Sequence, residues 1–291
     1  MLGILGGSGV YAIDGLAGAR FEKVETPFGA PSDELLLGEL GGTPVAFLPR
    51  HGRGHRIPPS EINYRANVDA MKRLGATELV SLGACGSLRE ELAPGTFVLV
   101  DQFVDRTFAR ATSFFGTGCV AHVSMARPVC ARLGDLLHAS ARARGIPVVR
   151  GGTYLAIEGP HFSSRAESEL YRSWRCDVIG MTNLPEAKLA REAELCFASV
   201  AMVTDYDCWR VGHAPVEVAD IVALLAQNAE RARELVAAAA AGIEPRPRPC
   251  PDRCDRALDG AIITAPEARD PECLRRLDAV AGRVLTPRAS P

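Results

Sequence analysis

A chain of 291 residues can bury a substantial core, and 33 basic against 35 acidic side chains leave it nearly neutral. That balance excludes the basic footprint of a nucleic-acid binder and the polybasic patch of a membrane-surface protein. The opening Met1-Leu2-Gly3-Ile4-Leu5-Gly6-Gly7 lacks a charged leader and breaks into glycine, so neither a signal peptide nor a spanning helix is expected, and a cytoplasmic enzyme is the default.

Leu2 to Leu5 reads as a short strand running into Gly6-Gly7-Ser8-Gly9, a turn whose backbone N–H groups can converge on an anion beside the Ser8 hydroxyl. It matches neither the dinucleotide fingerprint nor the P-loop, and taken alone it is a weak signal. After the Thr26–Ser32 loop, Leu35–Leu37 and Thr43–Leu48 read as paired strands around Gly41-Gly42. The second delivers Arg50, His51, Arg53 and His55 into a glycine-loosened loop that could serve a phosphate, arginine through its fork of donors and histidine through one N–H. A solvated basic loop has the same composition.

Pro59 to Leu74 reads as a helix with Ser60 as its N-cap and Gly75 as its stop. A strand from Glu78 ends in Gly83-Ala84-Cys85-Gly86-Ser87, small residues that let a ligand approach the backbone. Residues 113–120 have no period, which suits a lid or a subunit contact, and a helix follows over about Cys130 to Arg144. The strand Thr153–Ile157 leads to Glu158-Gly159-Pro160-His161-Phe162, where Phe162 could stack on a flat ring, ahead of a helix capped by Ser163 or Ser164. Val178–Gly180 then gives Met181-Thr182-Asn183, with Pro185 at a helix start.

The organising stretch is Cys196 to Val203, a strand buried on both faces that ends in Asp205 and Asp207. These acids could simply cap a turn, or they could meet a polar heterocycle and donate a proton to a leaving group. A long helix is expected from Val216 to about Ala240, after which Glu244-Pro245-Arg246-Pro247-Arg248-Pro249 ends regular structure. The expected organisation is one α/β domain over 1–243 and a Pro/Arg-rich linker and tail of no assignable role over 244–291.

The nine cysteines are scattered, so disulfides are not expected. Cys250 and Cys254 are the only close pair, and without clustered histidines they are a poor zinc signal; no metal site is expected. Alternating strands and helices with polar segments after strand upon strand place a ligand along one sheet edge. An anion cradle, a basic loop, a flat-ring platform and an acid together suit transfer of a sugar between a base and an oxyanion.

Gly6-Gly7-Ser8-Gly9, Thr26-Pro27-Phe28-Gly29, Arg50-His51-Gly52-Arg53, Ala84 to Glu90, Glu158-Gly159-Pro160 with Phe162 to Arg165, and Thr204 to Trp209 resemble the methylthioadenosine phosphorylases of the purine nucleoside phosphorylase family. The resemblance runs from Gly3 to about Gly242. It implies a twisted mixed sheet flanked by helices, and attack of inorganic phosphate on C1 of a ribose with release of adenine. Phosphate is then a co-substrate and no cofactor is needed. Carried over by position, Ser8, Arg50, His51, Ala84 and Thr182 would bind phosphate, and Met181 would meet the ribose through its backbone. Phe162 and Ser163 would line the base pocket, where Asp205 and Asp207 would face the purine and supply the proton at N7. Val218, Ile221 and Val222 match a 5'-methylthio pocket. His122 matches a residue reaching that pocket from a neighbouring subunit, so a homotrimer is implied, and pairing of trimers into hexamers is left open.

The sequence departs from the family pattern at Gly83, where threonine is usual, at His161, where arginine is common, and at Asn183-Leu184. Paired aspartates favour adenine over a 6-oxopurine, because two carboxylates would repel the oxygen. A 5'-deoxy- or 5'-halo-adenosine phosphorylase, an enzyme for 6-oxopurine nucleosides such as methylthioinosine, a hydrolytic nucleosidase and a non-catalytic nucleoside-binding protein are the alternatives. A nicotinamide dehydrogenase is excluded by the missing fingerprint.

Overall fold

A computed structural model describes residues 1–10, 13, 15–210, 218–247 and 249–285, and for 218–223 the backbone alone. Eleven strands among the described residues join in one sheet. Its centre is β5 (Glu78–Ser87), a strand ten residues long, buried along most of its length. It runs parallel to β1 (Leu2–Gly6) on one side and to β11 (Cys196–Asp205) on the other. Beyond β1 lie β4 (Thr43–Pro49), parallel to it, and the antiparallel β3 (Leu35–Leu40) and β2 (Ala17–Glu22). Beyond β11 lie β6 (Phe97–Val100) and β8 (Val148–Arg150). At Gly86–Ser87 the end of β5 pairs antiparallel with β10 (Val178–Gly180), which leads through β9 (Thr153–Ile157) to β7 (Gln102–Arg106). The sheet therefore forks where the ligand-facing edge begins.

Period-two alternation divides the core between two faces. Leu5, Leu48, Leu79 and Phe197 pack against α1 (Tyr64–Arg73) and α4 (Asn183–Glu192), while Ile4, Phe47, Val80, Val200 and Met202 pack against α2 (Ala131–Ala143) and α5 (Val218–Ala241). On the second face α5 contributes Ala229, Ala232, Leu235, Val236, Ala239 and Ala240, the stripe its composition predicts.

Several local expectations are revised. Ser60 does not cap α1; Asn63 does, accepting from Ala66 N at 3.1 Å, and Ser60 lies in a 3-10 turn, its hydroxyl donating to Glu158 O at 3.3 Å. Of the two serines offered for α3 (Arg165–Ser173), Ser164 forms a capping box with Glu167. Residues 113–120 are not free to act as a lid. Phe114 and Phe115 are buried, and buried Glu192 accepts from Ser113 Oγ and Phe114 N, each at 2.7 Å.

Regular structure does not end at Pro249. The segment folds back as α6 (Pro271–Arg276) and α7 (Asp278–Leu285), burying Leu258, Leu277, Val280 and Ala281 against the α1/α4 face. Arg283 bridges Glu194 at 2.5 Å, and Leu258 N donates to the same carboxylate at 3.0 Å. Its helices are 6 and 8 residues long, too short for a helical period to announce them. No helix among the described residues is long and apolar enough to cross a membrane.

Candidate active site

A cleft of about 270 Å³ opens at the carboxyl ends of β1, β4, β5 and β11, where open α/β sheets place their ligands. It gathers Ser8, Arg50, His51, Ala84, Phe162, Ser163, Met181, Thr182, Asp205 and Asp207 from segments up to 199 residues apart, counting from Ser8 to Asp207. Close backbone approach is built in at one end. A side chain at Gly7 would stand 2.8 Å from Arg50 Nη1 and 2.6 Å from Leu82 O, so this turn of the Gly-Gly-Ser loop admits only glycine.

At the end of the cleft beside the Gly-Gly-Ser turn the arginine fork is already engaged. Arg50 is fully buried. Nη1 donates to Leu82 O at 2.9 Å and Thr182 Oγ1 at 3.1 Å, Nη2 donates to Leu5 O at 2.9 Å and Ser81 Oγ at 2.8 Å, and Nε pairs with Glu186 Oε1 at 2.7 Å. A guanidinium sealed from water must be satisfied by protein, which is why the donors expected for phosphate have protein acceptors instead. Glu186 in turn accepts from Ser81 Oγ at 2.7 Å; burial pushes its carboxyl up, and Arg50 opposes that shift.

His51 also departs from expectation. Its Nδ1 lies 2.9 Å from Ile57 O, and a carbonyl only accepts, so the ring N–H is spent there and Nε2 is the acceptor. Burial holds its pKa down at about 3, and Arg50, His55 and Arg110 add to that, so the ring is neutral at physiological pH; it stacks on His55 at 4.1 Å. Gly83 is roomy: a Cβ there would meet Arg50 Nη1 at 3.4 Å and Thr182 Oγ1 at 3.8 Å. Asn183 is buried and binds Ser81 and Ser199 side chains, tying β5 to β11 beneath the cleft.

The side that carries Asp205 and Asp207 is built on a bulge. Register between β11 and β5 slips between Val203 and Asp205, which turns Asp205, the last strand residue, toward Gly86. A Cβ at Gly86 would stand 3.0 Å from Asp205 Oδ1. Asp205 accepts from Thr204 Oγ1 and Asp207 N, both at 2.7 Å. Asp207 turns in the left-handed region (φ 51°), and its buried Oδ2 makes no well-aligned hydrogen bond among the described residues, the Ser168 hydroxyl being its polar neighbour. Burial raises the pKa of both carboxyls, and the Asp205 charge raises Asp207 further. Ser163 Oγ nearby is likewise buried and unpartnered, and Phe162 is 65% exposed at the rim.

Four sequence expectations lie apart from this set. Val218, Ile221 and Val222 fall in the first turn of α5, where the side chains lie outside the described residues. His122 does not line the cleft of its own chain; it is exposed, and its N–H donates to Ala261 O at 2.9 Å on the C-terminal segment.

One residue escaped sequence reasoning. Arg110 is buried behind the cleft, where Nε donates to Glu158 Oε1 at 3.0 Å and Nη1 to Leu184 O at 2.8 Å and Met181 O, while Nη2 donates to Glu158 O at 2.5 Å. It fixes the backbone of both the 158 turn and the 181 turn. Glu158 is held near pKa 2: burial opposes ionisation but is outweighed by the Phe108 and Ala109 N–H groups, the Ser60 hydroxyl and Arg110. The sequence carried no signal for Arg110, because an arginine in an aperiodic loop looks solvated until its partners are known.

The family model described as Phosphorylase superfamily matches residues 1–241. The S-methyl-5'-thioadenosine phosphorylase of Cereibacter sphaeroides is 64% identical over 285 residues, 98% of each chain. That of Rhodospirillum rubrum is 61% identical over 98% of this chain and 97% of its own. Among solved structures, a methylthioadenosine phosphorylase sourced from an Antarctic soil metagenomic library superposes with a TM-score of 0.89 at 45% identity, covering 96% of this chain and 98% of that one. The methylthioadenosine phosphorylase from Schistosoma mansoni in complex with adenine gives 0.84 at 38% identity over 90% and 98%. The chain belongs to the Phosphorylase superfamily, in the family of the S-methyl-5'-thioadenosine phosphorylases.

Proposed function

We propose that the protein cleaves S-methyl-5'-thioadenosine with inorganic phosphate, giving adenine and 5-methylthioribose 1-phosphate. The observation that carries this reading is the division of one cleft into an end beside the Gly-Gly-Ser turn and an end with two buried carboxyls whose pKa values burial raises. As the glycosidic bond lengthens, positive charge grows on the ribose and negative charge on the purine. Phosphate, held at the Ser8 turn and by Thr182, with Ala84 alongside, answers the first; Asp205 donates its proton to N7 and answers the second. Asp207 Oδ2, a buried acceptor with no well-aligned donor among the described residues, suits the exocyclic amino group of adenine, and Phe162 supplies a face for the ring. His51 presents Nε2 as an acceptor, which suits the hydroxyl of a protonated phosphate rather than a bare dianion.

Met181 takes the ribose side, its carbonyl held by Arg110. Val218, Ile221 and Val222 take the 5' group, joined by His122 of a neighbouring copy in a homotrimer; exposure of His122 outside its own cleft supports that arrangement. The reaction places the protein in purine and methionine salvage in the cytoplasm. The test is adenine release from methylthioadenosine with and without phosphate, beside methylthioinosine and a 5'-chloro analogue. Phosphate-dependent release with preference for the methylthio substrate is expected. Release without phosphate would make the protein a nucleosidase, and release from none would leave a binding protein.

A further inference from the structure

The opposite end of the strand that carries Asp205 holds a second constellation. Cys130 stands just before α2, Cys196 opens β11, and Cys250 and Cys254 lie on the turn that brings the C-terminal segment back to the body. All four are buried, and their sulfurs lie within 4.8 Å of one another, with Cys196–Cys250 at 3.7 Å and Cys130–Cys250 at 4.0 Å. Nine residue steps of strand lead from Cys196 to Asp205, a distance of about 30 Å at a rise of about 3.3 Å per residue. The cluster is remote from the cleft and serves no part of the reaction.

We propose that Cys130, Cys196, Cys250 and Cys254 form a structural Zn2+ site that fastens the C-terminal segment to the sheet. A tetrahedron with Zn–S bonds of about 2.3 Å has sulfur–sulfur edges of about 3.8 Å, close to the 3.7 and 4.0 Å of two pairs here, and with all four sulfurs within 4.8 Å of one another a small inward shift closes the rest. Four convergent sulfurs select zinc over harder cations, and their closeness leaves no room for the corners of an iron–sulfur cubane. The pair Cys250-x-x-x-Cys254 has the spacing of half a zinc ligand set, and the fold supplies the other half from residues 130 and 196.

The surroundings fit the charge. Binding releases four protons, and four thiolates around one Zn2+ carry a net charge of −2. Arg191 Nη1 reaches Cys254 Sγ at 3.7 Å, and Arg246 stands beside Cys196 with its buried Nε unpartnered; neither has a carboxylate partner among the described residues. Arg132, near Cys196, is paired with Glu78 at 2.7 Å. Asp252 Oδ2 faces Cys130 Sγ at 3.4 Å and the Arg132 N–H at 3.3 Å, and it keeps the second contact once the thiol proton is gone. The anionic metal–thiolate set would thus sit beside two arginines that have no carboxylate partner among the described residues.

The test is metal content of the untagged full-length protein, prepared under reducing conditions. Elemental analysis is expected to find about one Zn2+ per chain. An organomercurial should release it into a colorimetric chelator, and Co2+ substitution should give the intense absorption of tetrahedral thiolate cobalt. Cys254→Ser should lose the zinc, and hydrogen exchange should then rise over residues 250–285 while phosphorolysis in the remote cleft continues. Because the wild-type measurement stands alone, an unfolded variant does not blunt it. Four reactive thiols without metal, iron in place of zinc, or a mass showing disulfide-bonded cysteines would each overturn the proposal.

Discussion

The two ends of the cleft are prepared in opposite ways. At the end proposed for phosphate both Nη atoms of Arg50 donate to protein acceptors, Nε is ion-paired with Glu186 and the His51 N–H is spent, so the scaffold is largely committed before any ligand arrives. At the end proposed for the base Asp207 Oδ2 and Ser163 Oγ are buried without well-aligned partners among the described residues, and two carboxyls sit where ionisation is costly. A satisfied network gives geometry, whereas an unsatisfied one stores a preference for the ligand that completes it. The phosphate end therefore acts as a frame and the base end as the chemically poised part.

The largest effect expected from breaking this contrast is at Asp205. Asp205→Asn removes the transferable proton but keeps the shape, so steady-state kinetics should show kcat lower by roughly 10²–10⁴-fold with KM little changed. An unchanged kcat would remove the acid role. Asp207→Asn turns an acceptor-only group into one that can also donate. The kcat/KM preference for methylthioadenosine over methylthioinosine should fall by roughly 10–100-fold, and a preserved ratio would mean that the orphan oxygen does not read the base.

At the phosphate end the effects are on stability and affinity. Folding depresses the His51 pKa to about 3 from an ordinary 6.5, so the unfolded chain binds the extra proton between those values. The stability tied to neutral His51 is fully present above about pH 6.5 and is lost as pH falls toward 3, by about 1.4 kcal/mol per pH unit. Denaturant titrations of His51→Gln should show a correspondingly shallower acid slope; an identical slope would mean that the ring titrates normally. Smallest is Gly83→Thr. A threonine would bring a hydroxyl into space where its Cβ meets nothing closer than 3.4 Å, and one added hydrogen bond of about 1 kcal/mol should lower the phosphate KM about fivefold. A rise in KM would show that the glycine is needed for room.

The alternation of elements, the buried strand ending at Asp205 and the Gly-Gly-Ser turn were legible because they depend on local periodicity and on residue types that few conformations tolerate. The ordered motifs likewise singled out the residues that the fold gathers into one cleft. Partnership was not legible. Arg50 looked like an open fork until Glu186, Ser81 and Leu82 closed around it, and Arg110 had no sequence signature because its acceptors are mostly backbone carbonyls from the 157–158 and 181–184 segments. The C-terminal helices were missed for a related reason: at 6 and 8 residues they are too short to show a period, and their apolar residues are buried only by a surface that exists once the sheet and α1 are in place.

The cysteines mark the boundary most sharply. Local sequence displays only the Cys250–Cys254 pair, which is too little to specify a ligand set, whereas tertiary folding brings Cys130 and Cys196 to it across 120 and 54 residues. Chemistry per residue and periodicity per element are encoded locally, so the sequence by itself determined the α/β class, the strand ends and the family motifs. Protonation, tautomer, donor commitment and the meeting of four sulfurs depend on burial and on distances between remote segments, and only the folded chain decides those.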